Sequence, residues 1–234
     1  MNSAANTIGA LRSPRSQCFP VERRLPQQQC IVMLDRGSAE ALAVLLPLLG
    51  CGEEAAIAGF ERLAHVCRLA VTARSALKAI AEDERLHDAL LRGLQAELPH
   101  PSPNPAMRRA ARRFHLGLSV GSAPIHLARI AGIDAAVCTI LSRVMRPGSA
   151  LTKDPGVASV IGHIRQDEAR HVAISRSIAI AALDRCRARD FAAEARCGLA
   201  ELMVSGGDAF ERLGVDPGGL DKAVRALPDG LFPR

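Results

Sequence analysis

One five-residue pattern, Asp-Glu-x-x-His, occurs twice in this chain, as Asp83-Glu84-Arg85-Leu86-His87 and as Asp167-Glu168-Ala169-Arg170-His171. In an α-helix a Glu and a His three positions apart share a face, one above the other. Two such pairs, each in a long helical stretch, restrict the chain to an arrangement in which two helices present the same ligands. A dinuclear metal site inside a helix bundle is the arrangement they suggest.

The helical reading rests on apolar spacing. Steps of three and four through the first pair give Leu77, Ile80, Glu84, His87, Leu91, Leu94 and Leu98. Through the second they give Ile161, Ile164, Glu168, His171, Ser175, Ile178 and Ala182. In both, Glu and His fall on the stripe that faces a core. An isolated buried carboxylate is costly and usually takes up a proton. Two in equivalent places, each beside an imidazole, require a compensating positive charge, which a metal ion supplies.

A four-helix site needs one more carboxylate from each of two further helices. Between Glu97 and Asp154 the sole acidic residue is Asp134, on the stripe Leu127, Ile130, Asp134, Val137, Leu141, Val144. Before the first pair stand Glu53, Glu54 and Glu61. The stripe Leu46, Leu49, Glu53, Ala56, Phe60, Leu63, Cys67 favours Glu53. The register through Glu54 is mostly polar, leaving Glu54 as the reserve and Glu61 as a surface partner for Arg. Glu53, Glu84, Asp134 and Glu168 would balance two divalent ions, with neutral His87 and His171 completing the set. Carboxylate and imidazole donors with open positions suit iron or manganese rather than structural zinc.

These residues resemble the ferritin-like di-iron carboxylate superfamily over about residues 38–185, in the order acid, Glu-x-x-His, acid, Glu-x-x-His. The Asp preceding each Glu is similar to the O2-activating branch. That branch includes multicomponent monooxygenase hydroxylases and ribonucleotide reductase small subunits. Gly52-Glu53-Glu54-Ala55-Ala56-Ile57-Ala58 also resembles the first ligand helix of those hydroxylases. The resemblance implies that Asp83 accepts a hydrogen bond from His171, and Asp167 one from His87. A carboxylate on the far ring nitrogen fixes the tautomer and strengthens the donor. Two departures stand out: Asp134 replaces the usual Glu, and the chain is far shorter than those hydroxylases.

The expected fold is therefore all-α: a ferritin-like four-helix bundle at 37–187, between a loose segment at 1–36 and a helical extension at 188–234. Within it, helices are expected at about 38–69, 72–98, 106–146 and 156–187, the first broken near Pro47 or Gly50 and the third interrupted near Gly121–Pro124. The proline-rich run from Pro99 to Pro105 makes the long crossover. A fifth helix near 189–204 and shorter pieces to 226 either cap the bundle or form a homodimer contact.

Composition narrows the class. At 234 residues and 48% hydrophobic, the chain holds one sizeable domain with appendages. No apolar run reaches a membrane-spanning length, so a protein without membrane insertion is expected. The Arg-containing N-terminus is faintly like a transit peptide, but a disordered bacterial N-terminus is the preferred reading. Seven dispersed Cys without a Cys-x-x-Cys pair imply reduced thiols and a cytoplasmic setting. Cys138, one turn after Asp134, is read as a small core residue, or else as a border of the metal cavity. The remaining histidines, His65, His100, His115, His126 and His163, read as surface or ordinary core, with lining of a substrate cavity as the alternative for His126 and His163. The net charge of +6 is dispersed, and without Trp or Tyr for base stacking a nucleic-acid partner is not expected. Arg108, Arg109, Arg112 and Arg113 form one local patch. It is either a solvated helix face or a dock for an anionic substrate or acidic carrier protein.

The expected function is that of an O2-dependent di-iron oxidoreductase, an oxygenase or oxidase acting on a small or carrier-bound organic substrate. Hydroxylation, N-oxygenation and desaturation are all open. Two Fe ions (or Mn) are the implied cofactors, O2 the co-substrate, and a reductase or ferredoxin the electron donor. With no Tyr and no Trp, the chain cannot store a radical on tyrosine. A ferroxidase or iron-handling protein, a tRNA-hydroxylase-like enzyme, and a metal-free bundle with coincidental pairs are the competing readings.

Overall fold

A computed structural model describes residues 32–66, 68–102 and 104–226. Most of the expected N-terminal segment, together with Cys18, Cys30 and Cys67, lies outside the described residues. The described regular structure is entirely helical: α1 (Arg36–Ala64), α2 (Val71–Ala96), α3 (Pro105–Leu118), α4 (Ala123–Val144), α5 (Ala150–Lys153), α6 (Pro155–Ile180), α7 (Arg185–Met203), a 3₁₀ turn (Val204–Gly206), α8 (Gly207–Arg212) and α9 (Pro217–Arg225).

Helix starts follow local chemistry. Asp35, Asn104, Asp154, Asp184 and Asp216 each accept a hydrogen bond from a backbone N–H of the following first turn. Pro105, Pro155 and Pro217 occupy first-turn positions, where no N–H is needed. Apolar stripes then decide the packing. α1 lies against α2, α4 against α6, and α2 meets α6, which brings the four helices that carry the expected ligands around one interior. A ferritin-like bundle is compatible with this arrangement.

Several boundaries differ from expectation. α1 is continuous through Pro47 rather than broken. Its contacts with α2 and α8 hold both halves in line, against the one hydrogen bond a proline removes. The region expected as one interrupted helix is two helices. α3 packs on α1 and α7, and only α4 enters the bundle, so the crossover includes α3. Gly121, with φ of 105°, makes the turn between them. The helix carrying the second pair stops at Ile180, short of 187, leaving Ala182 exposed. The Asp184 cap then starts α7 at Arg185, so α7 spans the expected boundary at 187/188. The C-terminal pieces cap the bundle: α8 lies on α1, and α9 on α7 and α4.

By length and composition alone, α1 and α4 are apolar enough to cross a membrane, which the sequence reading had excluded. The apolar window of α4 is 61% buried within the bundle. That of α1 is 33% buried, and its middle lines the cavity described below. Each also carries a buried carboxylate. With α4 mostly buried, the pair is compatible with a soluble protein.

α7 approaches α4 closely at one point. A Cβ on Gly132 would stand 2.6 Å from the Ala192 carbonyl oxygen and 2.8 Å from its Cα. Both obstacles are backbone, so neither can rotate away. Gly132→Ala is expected to destabilise the fold by about 1–3 kcal/mol, read as a lower midpoint in urea at unchanged slope.

Candidate metal centre

Each of the four helices delivers acidic side chains to one interior. Glu53 comes from α1, Glu84 and His87 from α2, Asp134 from α4, and Glu168 and His171 from α6. All six are buried. Neighbouring Glu54 points outward, its side chain 66% exposed beside Arg92, whereas Glu53 is 6% exposed. Glu61 pairs with Arg85 at the surface.

Glu53, Glu84, His87 and Glu168 each offer a ligand atom within 4.8 Å of the others, a buried cluster that could hold a metal ion. His87 Nδ1 lies 3.2 Å from Glu84 Oε2, 3.6 Å from Glu53 Oε2 and 3.8 Å from Glu168 Oε1. His171 Nδ1 lies 3.0 Å from Glu84 Oε1 and 3.9 Å from Glu168 Oε2. Glu84 and Glu168 therefore stand between the two imidazoles, whose ring centroids are 5.8 Å apart. Asp134 is not within that tightest group, but its carboxyl lines the same interior.

The far ring nitrogens turn outward and cross between halves. His87 Nε2 is 3.3 Å from Asp167 Oδ2, and His171 Nε2 is 3.4 Å from Asp83 Oδ2. In the neutral ring that metal ligation requires, an Nε2–H donating to its carboxylate leaves the Nδ1 lone pair turned inward. Arg170, which the sequence reading passed over, ties the two carboxylates together. Its Nη2 donates to Asp83 Oδ2 at 3.0 Å and to Asp167 Oδ1 at 2.7 Å. The Asp167–Arg170 spacing is a legible helical pair; the reach to Asp83 on α2 is not.

The protonation pattern is that of an acid cluster whose counter-charge comes from its own imidazoles: against burial, His171 and His87 hold Glu84 well below the usual carboxylate range. Burial, then the charges of Glu168 and Glu84, push Asp134 well above the usual carboxylate range. Burial, with Glu84 beside it, raises Glu168 to about 7. Burial opposes charge on His171, but Asp83 and Glu84 outweigh it and raise the ring to about 10. Burial likewise opposes charge on His87, yet Asp167, Glu53 and Glu84 hold it well above its ordinary value. The interior thus retains protons that divalent cations would displace. One orphaned atom points the same way: Asp134 Oδ2 is buried without a hydrogen-bond partner. The residues present therefore fit a pair of oxygen- and nitrogen-ligated cations.

Beside the cluster lies an apolar chamber of about 140 Å³, with Glu53, Glu84, Asp134 and Glu168 on its wall. Leu45, Leu49, Ile130, Ile133 and Leu141 are among its apolar lining. His126 lines it, the alternative reading of that residue, and so does His115, whose spacing suggests only surface or ordinary core. α3 carries His115 onto α1, a pairing that no periodicity specifies. His163 is not on the chamber wall; its Nε2 lies 3.4 Å from Asp167 Oδ2, outside the cluster. Cys138 also does not line the chamber. It is half-buried, its thiol donates to the Arg165 carbonyl, and burial pushes it up to about 12. Cys51, Cys138, Cys186 and Cys197 are free thiols.

Burial, helped by Arg62 and Arg129, lowers His126 to about 4, so folded His126 is neutral. The unfolded chain binds that proton near pH 6.5, so this contribution to stability is lost as pH falls from 6.5 towards 4. Relative to His126→Gln, the wild-type chain is expected to lose about 1 kcal/mol per pH unit in this window. Paired thermal melts at pH 7 and 4.5 measure the difference.

No protein-family model, no curated protein and no solved structure matches this chain. The functional reading therefore stands on the site.

Proposed function

We propose that this protein is a non-haem di-iron oxidase or oxygenase that activates O2 to oxidise an organic substrate. The observation that carries the reading is the crossed Asp–His arrangement around four buried carboxylates, opening onto an apolar chamber. A site built only to pass iron through has no need of an apolar chamber against its carboxylates.

Glu53, Glu84, His87, Asp134, Glu168 and His171 would hold the metal. When bound, a pair of irons supplies a site for O2 and electrons in pairs. The chain's own groups do the rest. Glu84 and Glu168, which stand between the imidazoles, would hold the metal together with them. Asp83 and Asp167 hold the imidazole tautomers, and Arg170 locks these two carboxylates to each other. Ile130, Ile133 and Leu141 keep water from the reacting face, which protects a strong oxidant from side reactions. The short arm of Asp134 limits its reach compared with a Glu. Repeated turnover requires an external electron donor, a ferredoxin or flavin reductase.

The test is O2 uptake by iron-loaded protein with a chemical reductant. Uptake coupled to oxidation of an added organic substrate supports the reading. Iron oxidation that stops after one stoichiometric round, or ends in mineral, assigns the chain to iron handling instead. Asp83→Ala is expected to keep its fold and to lose about 10–100-fold in metal affinity or O2 turnover. Unchanged values for both in that variant would remove the role given to the Asp–His pairs.

A further inference from the structure

Between α1 and α3 runs an open groove of about 780 Å³. Arg62, Arg108, Arg109 and Arg112 line it, and Glu54 is its sole carboxylate. Glu54 is itself drawn towards Arg92, 3.6 Å away. Among the described residues, no carboxylate forms an ion pair with Arg108, Arg109 or Arg112. Unpaired guanidinium groups gathered along a concave surface favour a carboxylate or phosphate.

The groove and the apolar chamber meet at Ala55, His115 and His126, which line both. A small residue on α1 makes room for one of the two rings: a Cβ on Gly59 would stand 3.3 Å from His126 Cε1. Arg62 donates to His126 Nδ1 at 3.3 Å, which fixes that ring from the groove side. Burial lowers both imidazoles to about 4, so the neck is polar but uncharged at neutral pH. Beyond it the walls are aliphatic until the four carboxylates.

Polarity therefore changes in order along one path: cationic mouth, neutral neck, apolar chamber, acidic metal site. From this order we infer that the substrate is an amphipathic anion, its carboxylate or phosphate held by Arg108, Arg109 and Arg112 and its apolar end passed between His115 and His126 to the metal site. This rests on the function proposed above and names its substrate class. The chamber's volume, about 140 Å³, sets the size of the inserted part. A cavity of about 150 Å³ accommodates benzene, so a phenyl ring or about six methylenes fits. The opposite orientation would put an anion against four carboxylates and an alkyl chain among guanidinium groups.

Binding is measured by calorimetry on the metal-free, full-length chain, with octanoate, octyl phosphate, octanol and acetate as probes. Octanoate or octyl phosphate is expected to bind at least about tenfold more tightly than octanol, and acetate about a hundredfold more weakly than octanoate. Whichever anion binds more tightly identifies the head group. In Arg108→Ala/Arg112→Ala, octanoate affinity is expected to fall about tenfold while octanol affinity is unchanged. In Ile133→Phe, both should weaken, with melting curves confirming that each variant is folded. Equal affinity for octanol and both anions, no binding of either anion, or an unaffected double arginine variant would overturn the inference. Because no iron is present, these outcomes are separate from the O2 test: binding without O2 uptake overturns the proposed chemistry and leaves the anion site standing.

Discussion

Glu84→Ala and Glu168→Ala are each expected to abolish iron retention, leaving fewer than about 0.1 per chain after desalting, where the unaltered protein is expected to hold about two. The two carboxylates stand between the imidazoles, each within 4 Å of both Nδ1 atoms. In the proposed centre, removing one would deprive the cations of a ligand and of a negative charge that offsets them. The chemistry differs from that of a surface acid. Glu54→Ala, one residue from Glu53 but outside, is expected to leave iron content unchanged. Mass spectrometry of metal content, with Glu54→Ala as the control, makes the comparison. Equal iron in all four proteins would show that the buried carboxylates are not the ligands.

Metal removal is the second large effect. Four buried carboxyl groups and two imidazoles share one interior, and without cations they retain protons or repel one another. A ligand that binds only the folded state stabilises it by about 4 kcal/mol at a thousandfold excess over its dissociation constant. For a chain of this size, 1 kcal/mol moves the melting temperature by about 2–4 °C. Chelation is therefore expected to lower the melting temperature by about 8–16 °C at pH 7, and two equivalents of ferrous ion or manganese should restore it. Scanning calorimetry with and without chelator reads the shift directly. Coincident transitions would mean that the acid cluster is stable by itself.

The acidic stripes were legible because burial has a spacing. Glu84, His87, Glu168 and His171 sit where apolar residues should, and an acid in that place is conspicuous in a linear sequence. The same reasoning separated Glu53 from Glu54 and isolated Asp134. Helix ends were less legible. The apolar rhythm of α6 runs on towards Ala182, but the helix stops at Ile180 and Asp184 begins another. A cap contributes about 1 kcal/mol and leaves a one-residue signature, whereas a stripe extends over many turns. What depends on helix-to-helix placement was not legible at all. His115 belongs to the chamber because α3 folds back on α1 after a proline-rich connection, and nothing in the sequence fixes that path. Arg170 sits at a variable position of its motif, and its tie to Asp83 exists because α2 and α6 lie side by side.

The most direct test is an anaerobic titration of ferrous ion into the full-length, metal-free protein, followed by desalting and metal analysis. The carboxylate–imidazole centre is expected to saturate at about two irons per chain. A folded protein that retains neither iron nor manganese, its melting curve unmoved by either, would contradict it.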